Sequence, residues 1–179
     1  MSASGEYLMF YRSFGGPKMT VSIDCFKRGM RQLASGVSVV TSRFEDNLAG
    51  MTVTAVASLS AEPPKLLVCL NRAGQTFDMV RQSRIMCVNI LSAEQTELAA
   101  AFARSSENKF AGCDWDIAKT GAPIIREAAV SFDCRIDNII DAGTHGIVIG
   151  EILDIIIAEE ANCLVYKNGQ YGTLMMKTG

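Results

Sequence analysis

Residues that carry most enzyme catalysis are scarce in this 179-residue sequence. His145 is its one histidine, so a single chain cannot build a zinc or iron site from several histidines. No GxSxG motif is present, which argues against a Ser-His-Asp hydrolase. A GxGxxG motif and a Walker lysine are also missing, so any nucleotide must be held without the common phosphate-binding loops. The scarcity of catalytic side chains suggests that a bound cofactor carries the chemistry, because the protein then has only to bind, orient and shield that cofactor.

A large excess of either charge is missing as well. The 17 basic and 19 acidic residues give a net charge of −2, so no basic surface for nucleic acid is predicted. The apolar stretch 147–157 is interrupted by Glu151 and Asp154 and is well short of the roughly 20 residues that span a bilayer. We therefore expect a soluble protein with no nucleic-acid or membrane partner.

One domain is expected from the length and the 49% apolar composition. Residues 1–20 are predicted to form a loosely ordered N-terminal leader, and residues 21–179 form the domain. The leader lacks the basic start and compact apolar core of a signal peptide, so a cytoplasmic location is expected. The six cysteines contain no CxxC motif and stand mostly at apolar-periodic positions, which indicates buried free thiols.

Helical spacing is present in three segments. Phe26, Met30 and Leu33 predict a first helix that Gly36 stops. Ser92 begins a capping-box pattern that opens the third helix. The predicted helices cover residues 23–35, 75–82 and about 92–103.

Strand patterns dominate the rest of the chain. In residues 130–137 apolar and polar side chains alternate, which predicts a half-exposed strand. Trp115 lies in a predicted loop over 104–121 and is interpreted as a packing residue. The predicted strands cover residues 37–41, 49–60, 66–70, 85–91, 130–137, 146–157 and 163–171. Because hairpin-like neighbours outnumber βαβ units, we predict a mainly β protein, an antiparallel barrel with flanking α-helices.

The predicted strand over 49–60 has an unusual polar face. Strand alternation places four hydroxyl side chains on one side, those of Thr52, Thr54, Ser58 and Ser60. Hydroxyl groups and backbone N–H groups can hydrogen-bond a flat heterocycle and its phosphate. The same hydroxyl groups can also simply face solvent, and the pattern alone leaves both interpretations open.

Several short segments between about residues 22 and 175 occur in the order in which one known family has them. They are MRQLASGVSVVT (30–41), GMTVTA (50–55), SLS (58–60), LVCLNRA (67–73), VNILS (88–92), KF (109–110), GAP (121–123) and GTH (143–145). Together they resemble the short-chain flavin reductases, the FMN-binding split-barrel family of 4-hydroxyphenylacetate and phenol two-component monooxygenase reductases. The resemblance implies an antiparallel split β-barrel of Greek-key type with flanking α-helices.

The resemblance also implies which residues bind the flavin. They are Thr52, Val53, Thr54, Ala55, Ser58, Leu59, Asn71, Arg72, Ala73, Gln75, Thr76, Ser105, Lys109 and Phe110. Arg72 would fork onto phosphate oxygens. Gly74 departs from the pattern, because a serine is common there, and this removes one candidate phosphate ligand.

His145 stands where the family has a turn that meets the nicotinamide cofactor. No catalytic side chain is implied, because hydride passes directly between the stacked rings. The implied activity is NADH- or NADPH-dependent reduction of FMN or FAD by a homodimer that supplies a separate flavin-dependent oxygenase. Two alternatives stay open, namely a protein that keeps its flavin tightly and reduces another acceptor, and a non-catalytic flavin-binding module.

Overall fold

Strands form most of the described structure. The computed structural model describes residues 21–106, 108–159 and 161–175. The helices are α1 (Ile23–Met30), α2 (Gln75–Ser83) and α3 (Thr96–Ala103), with a 3₁₀ helix at Lys109–Gly112. The strands are β1 (Ser35–Gly36), β2 (Ser38–Phe44), β3 (Asn47–Val53), β4 (Val56–Ala61), β5 (Pro64–Asn71), β6 (Ile85–Ile90), β7 (Trp115–Ile117), β8 (Pro123–Ile125), β9 (Val130–Ala142), β10 (His145–Ile157), β11 (Leu164–Lys167) and β12 (Gln170–Thr173). No helix in these ranges is long and apolar enough to cross a membrane.

Seven strands form the main sheet, in the order β3-β2-β6-β9-β10-β5-β4. Every neighbouring pair in it is antiparallel. A smaller sheet has the order β1-β11-β12, and β7 pairs with β8. The predicted antiparallel, mainly β fold is therefore confirmed, and the helix predicted at 75–82 is α2.

The strand predicted over 49–60 is wrong, because Thr54 and Ala55 divide it into β3 and β4. β3 pairs with β2 at one edge of the main sheet, whereas β4 pairs with β5 at the other edge. A connection of two residues reaches only about 10 Å. The two edges must therefore lie close together, so the sheet curls on itself, and the predicted row of four hydroxyl groups does not form one face.

Helix α1 begins where it was predicted, and the hydroxyl oxygen of Ser22 caps it by accepting from the Cys25 amide at 3.2 Å. It ends at Met30, five residues earlier than the spacing predicted. Residues 35–36 instead form β1, because their backbone pairs with β11. Helix α1 belongs to a compact unit that ends at Gln32, and all the strands belong to a second unit that begins at Leu33. The leader predicted at 1–20 lies outside the described residues.

The capping box predicted at Ser92 forms only in part. The Gln95 side-chain oxygen accepts from the Ser92 amide at 3.1 Å, but the helix begins later, at Thr96. The backbone N–H of Gln95 also donates to the Ser92 carbonyl, so residues 92–95 form a turn before the helix.

The polar face predicted for residues 130–137 is not fully exposed. Ser131 and Asp133 are 3% and 1% exposed, so the prediction of a solvent-facing row is wrong for these two residues. The Asp133 carboxylate accepts from the backbone amide and the hydroxyl of Thr120. The segment that carries Thr120 leads into β8 and covers this part of β9, which the alternation pattern did not reveal.

A buried side-chain amide joins four strands of the fold. Asn89 of β6 donates from Nδ2 to the Val39 carbonyl at 3.0 Å and to the Thr41 hydroxyl at 3.2 Å. Its Oδ1 accepts from the Ile125 amide at 3.0 Å and from the Ser131 hydroxyl at 2.8 Å. All the polar groups of this side chain therefore have partners, which offsets the cost of burying it.

Two apolar clusters form the core. The first lies between α2 and the main sheet and includes Phe77, Val80, Leu70 and Val148. The second includes Phe102 of α3. Helices α2 and α3 are thus both packed by their apolar faces, and their ends are fixed relative to the strands.

All six cysteines are free, as predicted. Cys87 and Cys134 are buried, but Cys25 is exposed, so the prediction of burial is wrong for that residue. Burial, with a smaller contribution from the nearby Asp133 charge, raises the pKa of Cys134 to about 12 and that of Cys87 well above its ordinary value. These two thiols are therefore protonated and unreactive at neutral pH.

Candidate functional site

A cavity of about 620 Å³ lies at the edge strand β3. Its walls come from β3, the turn after β5, the first turn of α2 and the end of α3 with the loop that follows. We call it the first cavity. Its lining residues are Leu48, Ala49, Gly50, Met51, Thr52, Asn71, Ala73, Gly74, Gln75, Thr76, Phe102, Ala103, Arg104, Ser105, Ser106, Lys109 and Phe110. Its volume lies within the range of roughly 300–1,000 Å³ that is usual for small-molecule sites.

The first cavity brings together many of the residues predicted to bind flavin. Eight of the fourteen line it, namely Thr52, Asn71, Ala73, Gln75, Thr76, Ser105, Lys109 and Phe110. The six outside the lining are Val53, Thr54, Ala55, Ser58, Leu59 and Arg72.

Strand β3 explains part of this division. The Thr52 hydroxyl donates to the Ala99 carbonyl of α3 at 2.7 Å, so it can only accept a hydrogen bond from a ligand. Val53 points to the opposite face and is 7% exposed in the core. Thr54 and Ala55 lie exposed at the bend between β3 and β4.

A tight turn connects β5 to α2 at the cavity wall. The Asn71 side-chain oxygen accepts from the Ala73 amide at 3.0 Å, and the Gly74 amide donates to the Asn71 carbonyl at 3.1 Å. Gly74 is the N-cap residue and has no side chain to bond the first amides of α2. Those N–H groups, at Gln75 and Thr76, have no intrahelical partner and carry the positive end of the helix dipole, which favours a phosphate group.

Lys109 ties the loop after α3 to the cavity wall. Its ammonium group donates to the Gly50 carbonyl at 3.0 Å and to the Phe102 carbonyl at 3.1 Å. Partial burial lowers the pKa of Lys109. The side chain thus places a cation in the cavity and joins strand β3 to the end of α3.

Aromatic side chains form the wall behind Lys109. Phe102 is 1% exposed and meets the edge of Phe110 at a centroid distance of 5.1 Å. Trp115 meets Phe110 at 6.0 Å and is not in the cavity lining, which agrees with its interpretation as a packing residue. Gly50 faces Phe102 so closely that a Cβ atom there would lie 2.6 Å from the ring.

Arg72 does not line the first cavity. Its guanidinium group lies 3.5 Å from the Asp141 carboxylate and 3.5 Å from the Gly143 carbonyl. It lines a separate cavity of about 400 Å³. To bind a flavin phosphate as predicted, the Arg72 side chain must therefore turn away from Asp141 and towards the first cavity.

His145 is exposed at the start of β10, directly opposite Asn71 of β5. Its Nδ1 lies 2.9 Å from the Thr144 hydroxyl, which orients the imidazole ring. The structure thus places His145 beside a residue of the first cavity without making it part of the lining. In the described ranges, no three His, Cys, Asp or Glu side chains gather as a metal site requires.

Several lining residues were not predicted from the sequence. They are Leu48 to Met51, Gly74, Phe102 to Arg104, and Ser106. The sequence pattern selected hydroxyl groups on one predicted strand, and the resemblance added residues between 71 and 76 and between 105 and 110. The glycine residues and the Phe102 wall of the cavity were in neither set. The segment GMTVTA at 50–55 was a signal for Gly50 and Met51, because both belong to the resemblance already noted.

The sequence and the fold have counterparts in known proteins. The flavin reductase like domain family matches residues 30–175, and the chain belongs to that family. FMN reductase (NADH) RutF of Agrobacterium fabrum is 38% identical over 151 residues, which cover 83% of this chain and 87% of that protein.

Solved structures agree with this assignment. Flavin reductase PheA2 is similar with a TM-score of 0.80 and 30% identity, covering 87% of this chain and 100% of that one. BorF, the flavin reductase component of a bacterial two-component tryptophan halogenase, is similar with a TM-score of 0.80 and 28% identity over the same shares. The predicted family and the predicted split-barrel fold are therefore confirmed.

Proposed function

We propose that this chain is a flavin reductase that transfers hydride from NADH or NADPH to FMN or FAD. The reduced flavin is supplied to a separate flavin-dependent oxygenase. Family membership supports the reaction, and the relatives are named as NADH-dependent FMN reductases and as reductase components of two-component systems. The observation that carries the proposal for this chain is the first cavity, which collects eight predicted flavin-binding residues from β3, the turn into α2 and the segment after α3.

The first cavity fits a phosphorylated flat heterocycle. Its volume of about 620 Å³ and its aromatic wall accommodate a ring system. The free amides at the start of α2 and the Lys109 ammonium group favour a phosphate, while Thr52 offers one hydroxyl acceptor. The predicted residues at the bend, Thr54 and Ala55, would then contact the ring end of the flavin.

His145 is proposed to bind and orient the nicotinamide. Its backbone pairing with Asn71, which lines the first cavity, supports this role. The flavin, when bound, accepts hydride directly from the nicotinamide, so no protein group has to act as acid or base. The chain's own task is to bring both rings together and exclude water.

A homodimer is proposed as the active form. β10 ends in a row of exposed apolar side chains at Ile155, Ile156 and Ile157, of which Ile157 is 70% exposed. Such a row is unusual on a monomer surface and suits contact with a second copy. A cytoplasmic location is proposed as well, since six free cysteines suit a reducing compartment. Sedimentation at assay concentration tests the dimer, and a fully active monomer would refute it.

The decisive experiment follows the oxidation of NADH and NADPH by the purified protein, with and without added FMN, FAD or riboflavin. Turnover that requires free flavin and saturates with it is expected, and it reveals both cofactor preferences. Stoichiometric flavin that survives gel filtration, with no stimulation by added flavin, would favour reduction of another acceptor. Flavin binding without any oxidation of NADH or NADPH would favour a non-catalytic module.

A further inference from the structure

Gly74 lines the first cavity but has no role of its own in the function proposed above. It is the N-cap residue of α2, and no side-chain hydrogen bond caps that helix. Its backbone is extended, with φ −92° and ψ 139°, and residues other than glycine adopt this conformation freely. Backbone conformation therefore does not explain why this residue is a glycine.

The missing side chain leaves space open between β3 and the first turn of α2. A Cβ atom at position 74 would lie 3.3 Å from the Asn71 carbonyl oxygen and 3.8 Å from Cε of Met51 in β3. Asn71 and Met51 both line the first cavity. The first of these distances is tight and the second is an ordinary van der Waals contact, so a small side chain fits here after a slight adjustment. Such a side chain would occupy part of the cavity wall that Gly74 leaves free.

The first backbone amides of α2 decide what a side chain at position 74 would do. The Phe77 amide donates to the Gly74 carbonyl at 3.0 Å, whereas the amides of Gln75 and Thr76 donate to no backbone group of the described residues. A capping side chain accepts from the second or third N–H group of its helix. The third belongs to Phe77 and is already bonded. A capping hydroxyl at position 74 would therefore take the second, the Thr76 amide.

The Thr76 side chain is independent evidence of a ligand at the same place. Thr76 is 3% exposed and lines the first cavity. Within the described ranges its hydroxyl group forms no hydrogen bond, although every side-chain nitrogen or oxygen that is fully shielded from solvent there has a partner. The Thr76 hydroxyl must therefore keep a small opening to the cavity that it lines, where it can donate to a ligand.

These donors distinguish a charged ligand from a neutral one. The ribityl chain of FMN and FAD ends in a phosphate, whereas that of riboflavin ends in a hydroxyl group. Hydrogen bonds to an ionised acceptor are about twice as strong as those between neutral groups, and the start of a helix favours negative charge. Engaging the Thr76 amide in a cap would thus weaken the binding of a phosphate far more than that of a neutral chain end.

We infer that Gly74 determines the selectivity of the first cavity for flavins that carry a 5′-phosphate over riboflavin. Without a side chain, it leaves the Thr76 amide and the space beside Met51 free for the phosphate. This inference rests on the proposed function, because it places the flavin phosphate at the start of α2. It also gives a serine at position 74 a definite effect. The serine hydroxyl would cap the helix and compete with the phosphate, so it would lower the affinity for FMN although a hydroxyl group is itself a phosphate donor.

The test is fluorescence titration of the whole protein with FMN and with riboflavin, in the absence of NADH and NADPH. The wild type is expected to bind FMN at least about tenfold more tightly than riboflavin. Gly74→Ser is expected to weaken FMN binding about tenfold, the effect of losing one hydrogen bond to a charged group, and riboflavin binding less than about twofold. Gly172→Ser is the matched control, since no atom lies within 4 Å of a Cβ there and Gly172 is outside the lining, so both Kd values should stay unchanged.

Two further variants separate capping from loss of space. Gly74→Ala adds the Cβ atom without a capping group, so it should keep the FMN affinity within about threefold of the wild type. Thr76→Val removes the hydroxyl at nearly constant shape, and it should weaken FMN binding about tenfold with little effect on riboflavin. Thermal unfolding without flavin checks that each variant is folded, and Thr76→Val keeps the test open if Gly74→Ser is not. Inorganic phosphate should compete with FMN but not with riboflavin.

Four results would overturn the inference. They are equal affinity of the wild type for FMN and riboflavin, FMN binding by Gly74→Ser as tight as in the wild type or tighter, equal losses of affinity for FMN and riboflavin in that variant, and equal losses of FMN affinity in Gly74→Ser and Gly74→Ala. Failure of the proposed function looks different. NADH and NADPH would then not be oxidised with any flavin, while the titrations still show whether Gly74 sets the preference for a phosphate.

Discussion

Replacing Gly50 with alanine tests the wall of the first cavity. The new Cβ atom would lie 2.6 and 2.8 Å from two atoms of the Phe102 ring and 3.4 Å from the Val40 carbonyl oxygen. Phe102 is 1% exposed and packs against Phe110, so its ring can yield only by disturbing Phe110 or by moving towards the first cavity. Overpacking of this kind costs about 1–3 kcal/mol.

Urea unfolding measures the effect. Gly50→Ala should lower the unfolding midpoint without changing the slope, which indicates lost stability at constant surface exposure. It should also raise the flavin Kd, because Phe102 and Lys109 both line the cavity and Lys109 bonds the Gly50 carbonyl. Gly172→Ala is the matched control, since no atom lies within 4 Å of a Cβ there, and its free energy of unfolding should change by less than about 0.5 kcal/mol.

A double variant separates the contact from a general strand effect. Phe102→Leu removes the ring edge that the new methyl group meets, so Gly50→Ala should cost less in that background than in the wild type. Equal costs in both backgrounds, or wild-type stability of Gly50→Ala, would refute the packing argument.

Three further predictions concern other parts of the chain. His145→Ala should raise the KM for the nicotinamide much more than the KM for flavin, and an equal effect on both would contradict the proposed role. Thr54→Val should weaken flavin binding by about 1 kcal/mol if its hydroxyl makes one ordinary hydrogen bond, whereas an unchanged Kd in fluorescence titration would remove it from the site. Burial raises the pKa of Cys134 to about 12, so the unfolded chain ionises this thiol at lower pH than the native chain does. Its contribution to stability is therefore complete below about pH 9 and is lost as the pH rises towards 12, and Cys134→Ala should show a flatter decline of the urea midpoint over that window.

The local part of the fold was predictable from the sequence. Helix α2 was found because its start and its apolar spacing are both local, and the strands over 66–70 and 85–91 were found because their apolar runs are short and bounded. The break at Thr54 and Ala55 was not, since it depends on β3 and β4 pairing with strands at opposite edges of the sheet. The alternation of apolar and polar side chains in residues 49–60 does not indicate which distant strands they pair with.

The candidate site divides in the same way. Asn71, Gln75 and Thr76 lie in the first cavity because they sit on a turn whose geometry is local. The approach of Gly50 to Phe102 joins residues 52 positions apart, so no local pattern reveals it. The direction of the Arg72 side chain likewise depends on Asp141, which arrives from another hairpin.

The buried amide of Asn89 has a consequence for strand register. Sliding β9 by two residues against β6 would keep every side chain on its own face, so the alternation of apolar and polar side chains does not oppose such a slip. The slip would, however, remove the Ser131 hydroxyl from Asn89 and so lose one buried hydrogen bond, at a cost of about 0.5–1.5 kcal/mol. Asn89 also bonds the Ile125 amide, so the same side chain that selects the register of the sheet holds β8 beside it.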